Sequence, residues 1–341
     1  MNLSDSAAFG NHKTILVTGG AGYIGSHTVK LLDSLGYVPV VVDNLSNGHR
    51  ELVKWGEFVH GDITDDSLMK SLFCEYSFEA VMHFAAYAYV DESVSNPAKY
   101  YQNNVTGTLQ LLKHMVIGGV NKIIFSSTCA TYGDSSVEFI DETHPQRPIN
   151  PYGASKLMAE RIIADFGHAH GISYAVFRYF NASGADLEGE VGEWHEPETH
   201  LIPLVLEAAT GRRETVCIHG TDYPTPDGTC VRDFIHVCDI AQAHVLGLNH
   251  VVSGNTSDCF NLSNRDGYSV REVIRAVEKV TGKNIRKVET HRRPGDPARL
   301  VGNSHKAAQI LGWKPEYPSL EGIVESAWKW HQRLSREPMS I

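Results

Sequence analysis

The sequence predicts an α/β fold, a doubly wound parallel sheet followed by a smaller α/β lobe. Three observations predict it: short β-rich runs alternate with helical stretches, a glycine-rich turn follows the first run, and the texture changes after residue 179. In chain order, residues 13–18 (KTILVT) are a short apolar run, and residues 24–35 carry a helical pattern that Gly36 can stop. Residues 38–43 (VPVVVD) are a second β-rich run, and others follow at 57–59, 80–84, 122–126 and 173–178. Helical patterns at 65–75, 99–116 and 152–166 separate them. Short apolar runs between helices suit strands buried on both faces, which is the parallel arrangement. Residues 181–235 are rich in Gly, Pro, Glu and Asp and lose the alternation. An amphipathic helix at 269–280 follows, and Pro294, Pro297, Pro315 and Pro318 punctuate the tail. The expected division is a nucleotide-binding domain over 1–180 and a substrate lobe over 181–341, with about 236–262 returning to the core.

Composition sets the outer limits. With 341 residues, 42% hydrophobic and 21% charged, the chain can bury a sizeable core. Its 30 Lys+Arg against 40 Asp+Glu leave a net charge of −10. An acidic body without a basic run argues against nucleic acid or anionic membrane as partner. No apolar stretch approaches the length of a bilayer span. The N-terminus, MNLSDSAAFGNHK, lacks a charged region followed by an apolar one, so no secretory signal is expected. The six cysteines (Cys74, Cys129, Cys217, Cys230, Cys238, Cys259) form no CxxC pair, and reduced thiols in the cytoplasm are expected.

The first strand runs into Thr18-Gly-Gly-Ala-Gly-Tyr-Ile-Gly25, a GxxGxxG spacing where a strand turns into a helix. Glycine there permits a tight turn, close approach of backbone to a pyrophosphate, and helix–strand packing. The helix N-terminus offers free N–H groups and partial positive charge to the phosphates. A glycine triplet alone is weak, but the strand–turn–helix setting makes it a Rossmann-type dinucleotide site. Asp43 ends the second strand, 18 residues past Gly25, where a carboxylate accepts ribose hydroxyls and repels a 2′-phosphate. NAD is therefore the expected cofactor. Arg50 nearby leaves an NADP reading open, and Asp43 could instead simply start the DNLSNG turn.

Tyr152 and Lys156 lie four apart in PYGASK, which puts both on one helix face. A free tyrosine titrates near ~10, so it needs a neighbouring cation to act as a base near neutrality. YxxxK arises often by chance; behind a nicotinamide-type site the catalytic reading is preferred. The stretch 126–133 (SSTCATYG) follows a buried-type strand at the ligand-binding end of the sheet. Thr128 there could hydrogen-bond a reacting sugar oxygen, although hydroxyls such as Ser126 and Ser127 also satisfy strand-end backbone.

These features, with Gly61-Asp62-Ile63, His83-Phe-Ala-Ala86, Asn103-Asn104, Arg178-Tyr-Phe-Asn181, Val231-Arg-Asp-Phe-Ile-His-Val237 and Arg293-Pro-Gly-Asp296, complete a pattern. Over residues of about 14–330 the chain resembles the extended short-chain dehydrogenase/reductase family, in its branch that epimerises nucleotide sugars. The resemblance implies an NAD-dependent 4-epimerase of UDP-hexoses, interconverting UDP-glucose and UDP-galactose through a transient 4-ketosugar. It implies Tyr152, Lys156 and Thr128 as catalytic residues. For the cofactor it implies Gly19, Gly22, Tyr23, Ile24, Gly25, Asp43, Asn44, Asn47, Gly48, Asp62, Ile63, Phe84, Ala85, Ala86, Asn103, Ser126 and Tyr179, besides Tyr152 and Lys156. For the UDP-sugar it implies Asn181, His200, Leu201, His219, Arg232, Arg293 and Asp296, with Thr128 and Tyr152 at the sugar. It further implies a homodimer formed through the helices at 99–116 and 152–166.

Three positions depart from the family pattern. Ala88 stands where a lysine is common, His200 where an amide is common, and His219 where an aromatic is common. The residue gating the sugar pocket matches Leu300, which leaves acceptance of N-acetyl sugars open. A UDP-pentose or UDP-glucuronate 4-epimerase is the nearest alternative. A simple NAD-dependent dehydrogenase and a non-catalytic NAD-sensing regulator rank below it. Two histidine patterns are set aside. His195-Glu-Pro-Glu-Thr-His200 spaces its histidines by five with Pro197 between, unlike a helical HExxH zinc motif, so a loop and no metal are expected. His168 and His170 suit a helix C-terminus.

Overall fold

The computed structural model describes residues 13–135, 137–293 and 296–336. The N-terminal segment and the Pro294 and Gly295 of the arginine-proline motif lie outside the described residues. The first half alternates β1 (Thr14–Thr18), α1 (Tyr23–Ser34), β2 (Val38–Asp43), β3 (Glu57–His60), α2 (Asp66–Glu75) and β4 (Phe78–His83). Two short helices, α3 (Val90–Ser95) and α4 (Pro97–Tyr100), lead through a π-helical stretch at Tyr101–Gly107 into α5 (Thr108–Ile117). Then come β5 (Lys122–Ser126), α6 (Pro151–His170) and β6 (Ser173–Tyr179).

The sequence reading expected one uninterrupted helix over 99–116. The structure widens its middle into π-turns, as occurs where a helix lines a functional site.

The second half holds β7 (Asn181–Ser183), α7 (Leu201–Thr210), β8 (Val216–His219), β9 (Val231–His236), α8 (Val237–Val252) and β10 (Asp258–Leu262). It ends with β11 (Gly267–Ser269), α9 (Val270–Thr281), β12 (Lys287–Thr290), β13 (Arg299–Leu300), α10 (His305–Leu311) and α11 (Leu320–Arg336).

Seven strands pair in parallel in the order β10-β6-β5-β4-β1-β2-β3. The order reverses between β1 and β4, which opens a crevice above their carboxyl ends. Alternation along β1 shows why both faces are covered: Ile15 and Val17 pack into one apolar cluster and Leu16 into the other. The first cluster is shared with Val29 and Leu32 of α1 and with Ile240 and Leu248 of α8. The second is shared with Met69 and Leu72 of α2, Leu111 and Leu112 of α5, and Ile163 of α6.

A separate core joins α7, α9 and α11 through Val205, Val277 and Val324. A small sheet, β11-β9-β13 with β7 beside β9, lies between that core and the crevice. All six cysteines are free thiols. No described helix is long and apolar enough to cross a membrane.

Candidate functional site

A cavity of about 500 Å³ occupies the crevice, and a second of about 340 Å³ adjoins it beneath α7. The two share Asn181, Glu193, His200, Arg232 and Asp296 in their walls.

At the dinucleotide end, Gly19 has a positive φ of 73°, and a Cβ there would lie 2.5 Å from the Ala85 backbone nitrogen. A Cβ on Gly25 would lie 2.2 Å from the Gly19 carbonyl oxygen. Only glycine fits this turn. Gly22 caps α1 without a side chain, so nothing from the cap covers the first-turn N–H groups. Those groups suit an anion. Asp43 is buried at the end of β2. Its carboxylate accepts from Ala21 N at 3.0 Å and Leu45 N at 2.9 Å, with burial holding its pKa up. Asp62 accepts from Asn44 Nδ2 at 2.6 Å and from Thr64, which holds its carboxyl low against burial. The cradle thus fits NAD. Arg50 turns away, donating to the Val53 carbonyl at 2.9 Å and lying over Phe58, so the NADP reading gains no support.

The catalytic candidates stand where β5 and β6 end. Asn150 accepts from Gly153 N at 2.8 Å and Pro151 occupies the first turn, which starts α6 immediately before Tyr152. Four residues on, the Lys156 ammonium is buried, donates to the Ser126 carbonyl at 2.8 Å and lies 4.7 Å from the Phe125 ring centroid. Burial lowers Lys156 to about 7, with Glu160 acting against the shift.

Burial pushes Tyr152 up to about 12, and the group that pulls the other way is the Thr128 hydroxyl hydrogen-bonded to it. Lys156 is committed to the Ser126 carbonyl instead. Ser126 Oγ is hydrogen-bonded to the Tyr179 hydroxyl, another phenol raised by burial.

Behind this surface lies a buried polar layer that spacing did not signal. Glu160 accepts from Arg178 Nη2 at 2.6 Å and Nε at 3.0 Å, and from Ser127 Oγ. Arg178 Nη1 donates to Tyr132, whose hydroxyl donates to Asn261 at 2.7 Å. The layer ties α6 to β5, β6 and β10. Glu160 lies one helical turn beyond Lys156, and that was the signal available. His83 is bracketed by Thr18 Oγ1 at 2.7 Å and Thr108 Oγ1 at 2.9 Å, and burial lowers it to about 3, so it is neutral.

Residues 15–263 match the NAD dependent epimerase/dehydratase family. The chain belongs to that family. The UDP-glucose 4-epimerase of Rhizobium meliloti is 51% identical over 325 residues, spanning 95% of this chain and 99% of that relative. The UDP-glucose 4-epimerase from Brucella ovis in complex with NAD superposes with a TM-score of 0.91 at 49% identity, covering 93% of this chain and 97% of that one. The enzyme from Bifidobacterium longum in complex with NAD+ and UDP gives 0.89 at 39% identity, covering 96% and 99%. The fold expectation, the NAD expectation and the family expectation all hold.

In this epimerase-family chain the large cavity gathers Gly19, Gly22, Tyr23, Ile24, Gly25, Asn44, Asn47, Gly48, Ile63, Phe84, Ala85, Ala86 and Asn103 along its dinucleotide side. Thr128, Tyr152, Lys156, Tyr179 and Leu300 stand at its inner end, and Ala88 lines it without a charge. Leu201, His219 and Arg293 line the second cavity. Arg232 is ion-paired with Asp296 across 64 positions of sequence, so these two candidates hold each other. Asn181 donates to the Asp233 carbonyl at 2.8 Å.

Glu193 and His195, absent from the candidates, also line the large cavity. The 193–200 segment is a loop, as expected, with no helical zinc motif. It nevertheless folds His195 and His200 onto Glu193 and Glu198. Burial opposes their charge, but ion pairs to the two carboxylates outweigh it and lift His195 to about 9 and His200 to about 10.

Proposed function

We propose that this chain interconverts UDP-glucose and UDP-galactose by inverting C4 of the hexose, with NAD as its bound cofactor. The observation that carries the reading is that Thr128, Tyr152 and Lys156 line the inner end of a cleft whose other end is the glycine and Asp43 cradle. Relatives at about half identity over nearly the whole chain bear the UDP-glucose 4-epimerase name.

Held by the glycine turn and Asp43, NAD would supply the acceptor and then the donor of the hydride that C4 of the sugar gives up and regains on its opposite face. Tyr152 accepts the proton of the 4-hydroxyl and later gives it back. Thr128 hydrogen-bonds the same oxygen and favours the charged form of Tyr152. Lys156, four residues along the same helix and anchored on the Ser126 carbonyl, would hold the ribose of the nicotinamide and add positive charge to the inner end of the cleft. Arg232, Arg293, His219 and Leu201 hold the uridine diphosphate in the second cavity. Binding energy placed there leaves the 4-ketosugar loose enough to turn between the two hydride transfers.

The purified protein is given UDP-galactose without added NAD, and both sugar products and NADH absorbance are followed. UDP-glucose formed without net NADH is expected. Steady NADH release would identify a dehydrogenase, and turnover confined to UDP-pentoses would identify the alternative epimerase.

We also propose a homodimer in the cytoplasm, built on α5 and α6. Exposed apolar side chains there and on α3, which packs on α6, support it: Val90, Val94, Ile117 and Met158. Met158→Glu is expected to halve the mass measured by light scattering, and an unchanged mass in that variant and in wild-type monomer alike would refute this interface.

A further inference from the structure

We infer that the loop joining β7 to α7 is a site for a tetrahedrally coordinated divalent transition metal of the zinc type, ligated by Glu193, His195, Glu198 and His200. The four donor atoms lie within 4.8 Å of one another. His195 Nδ1 is 3.3 Å from Glu193 Oε1 and 3.7 Å from Glu198 Oε2. His200 Nδ1 is 2.8 Å from Glu193 Oε1 and 3.0 Å from Glu198 Oε1. Bonds of about 2.0–2.1 Å at a tetrahedral angle require donors about 3.3 Å apart, and the four histidine–carboxylate contacts, which reach one oxygen of Glu193 and both oxygens of Glu198, bracket that separation.

A second observation points the same way. His195 Nδ1 is buried and makes no hydrogen bond of acceptable geometry, although a carboxylate lies at ion-pair distance. The ring nitrogen faces both carboxylates at ion-pair distance without a well-aligned hydrogen bond to either, an arrangement in which one cation could take the place of the ring proton.

The donor set selects the metal. Two imidazoles and two carboxylates suit zinc and its neighbours, whereas calcium and magnesium take oxygen shells. Imidazole ligates only when neutral, so a divalent cation would displace the two ring protons and leave the charge of the cluster unchanged. The other carboxylate cluster, Asp186, Glu188 and Glu190, is a useful contrast. Lys30 Nζ already fills it at 2.8, 2.6 and 2.8 Å, so it needs no metal.

Position gives the site a role. Trp194 stacks on His49 at 3.6 Å beside the cofactor-side Gly48, and His200 is the N-cap of α7, which roofs the second cavity. A metal between them would pin the cofactor side of the cleft to the uridine side without touching the reacting carbon.

The test is metal stoichiometry on the full chain, stripped with a chelator, dialysed, and titrated with zinc against a competing chromophoric chelator. One zinc per chain is expected. His195→Gln and Glu198→Gln should each weaken binding by ~100-fold or more. Cobalt in place of zinc should give the intense visible absorption of a four-coordinate site. Circular dichroism and NAD content verify that each variant folds. Less than a tenth of an equivalent of zinc on the wild-type chain overturns the inference, whatever the variants do. So does binding unchanged in both folded variants, or magnesium competing on equal terms. Because the readout is metal, its failure leaves the epimerase reading standing, and failed epimerisation leaves this one standing.

Discussion

Lys156→Met should make the protein more stable while removing its activity. The Lys156 pKa falls from 10.5 to about 7 on folding, chiefly through burial. At about 1.4 kcal/mol per pKa unit, carrying that charge into the fold costs roughly 5 kcal/mol. Removing the side chain also strands the Ser126 carbonyl, which it reaches at 2.8 Å, and an unsatisfied buried carbonyl costs about 1–3 kcal/mol. The net gain at neutral pH is therefore about 2–4 kcal/mol.

The sign reverses with pH. Below about 7 both folded and unfolded states hold the proton, and the penalty is complete. Between about 7 and 10.5 the unfolded state holds more protons, so the wild type gains stability as pH rises. Above 10.5 the penalty is gone and only the stranded carbonyl separates the two chains. Their stability curves should cross between roughly pH 8 and 10. Urea unfolding of nucleotide-stripped chains, followed by tryptophan fluorescence at half-unit pH steps, measures it. A variant less stable than wild type at pH 6.5, or a difference indifferent to pH, refutes the reasoning. The expected trade of stability for function is common at active sites.

Three other outcomes follow from the packing. Glu160→Leu should cost about 3–5 kcal/mol in urea unfolding because it leaves the buried Arg178 guanidinium without its carboxylate, and adding Arg178→Met should restore most of that; a double variant as unstable as the single one sinks the account. Gly25→Ala, whose new Cβ would meet the Gly19 carbonyl oxygen at 2.2 Å, should purify without NAD, and full nucleotide absorbance would count against the glycine argument. Asp43→Ala deprives Ala21 N and Leu45 N of their acceptor and should weaken NAD at least ~10-fold by calorimetry, with unchanged affinity the contrary result.

The parts of the site legible from sequence are those built over short chain distances. The glycine turn, the carboxylate ending β2 and the tyrosine-lysine pair on α6 each follow from strand or helix periodicity and one turn. Parts assembled by tertiary folding left little trace. Arg232 and Asp296 meet across 64 residues, and Glu160 and Arg178 pair between a helix and a strand. The histidine-glutamate cluster illustrates the limit most clearly. Measured by spacing, His195 and His200 fail a helical zinc pattern, and a loop imposes no such spacing. Its convergence depends on how the loop closes over the cleft, which no periodicity encodes. The height of the Tyr152 pKa was equally hidden, since burial rather than a neighbouring charge dominates it.

The π-helical stretch at Tyr101–Gly107 has a bearing on how this protein tolerates change. One surplus residue there rotates everything upstream by about 100° relative to α5, since each α-helical residue advances by that angle. The surplus is what lets Asn104 bracket Tyr87 N and O at 3.0 Å each and reach Ser155 Oγ at 3.0 Å, while Leu111 and Leu112 still face the sheet. Two frames are thus spliced within one continuous rod. A single-residue deletion anywhere from 101 to 107 would heal the rod into a regular α-helix and throw the two frames out of phase.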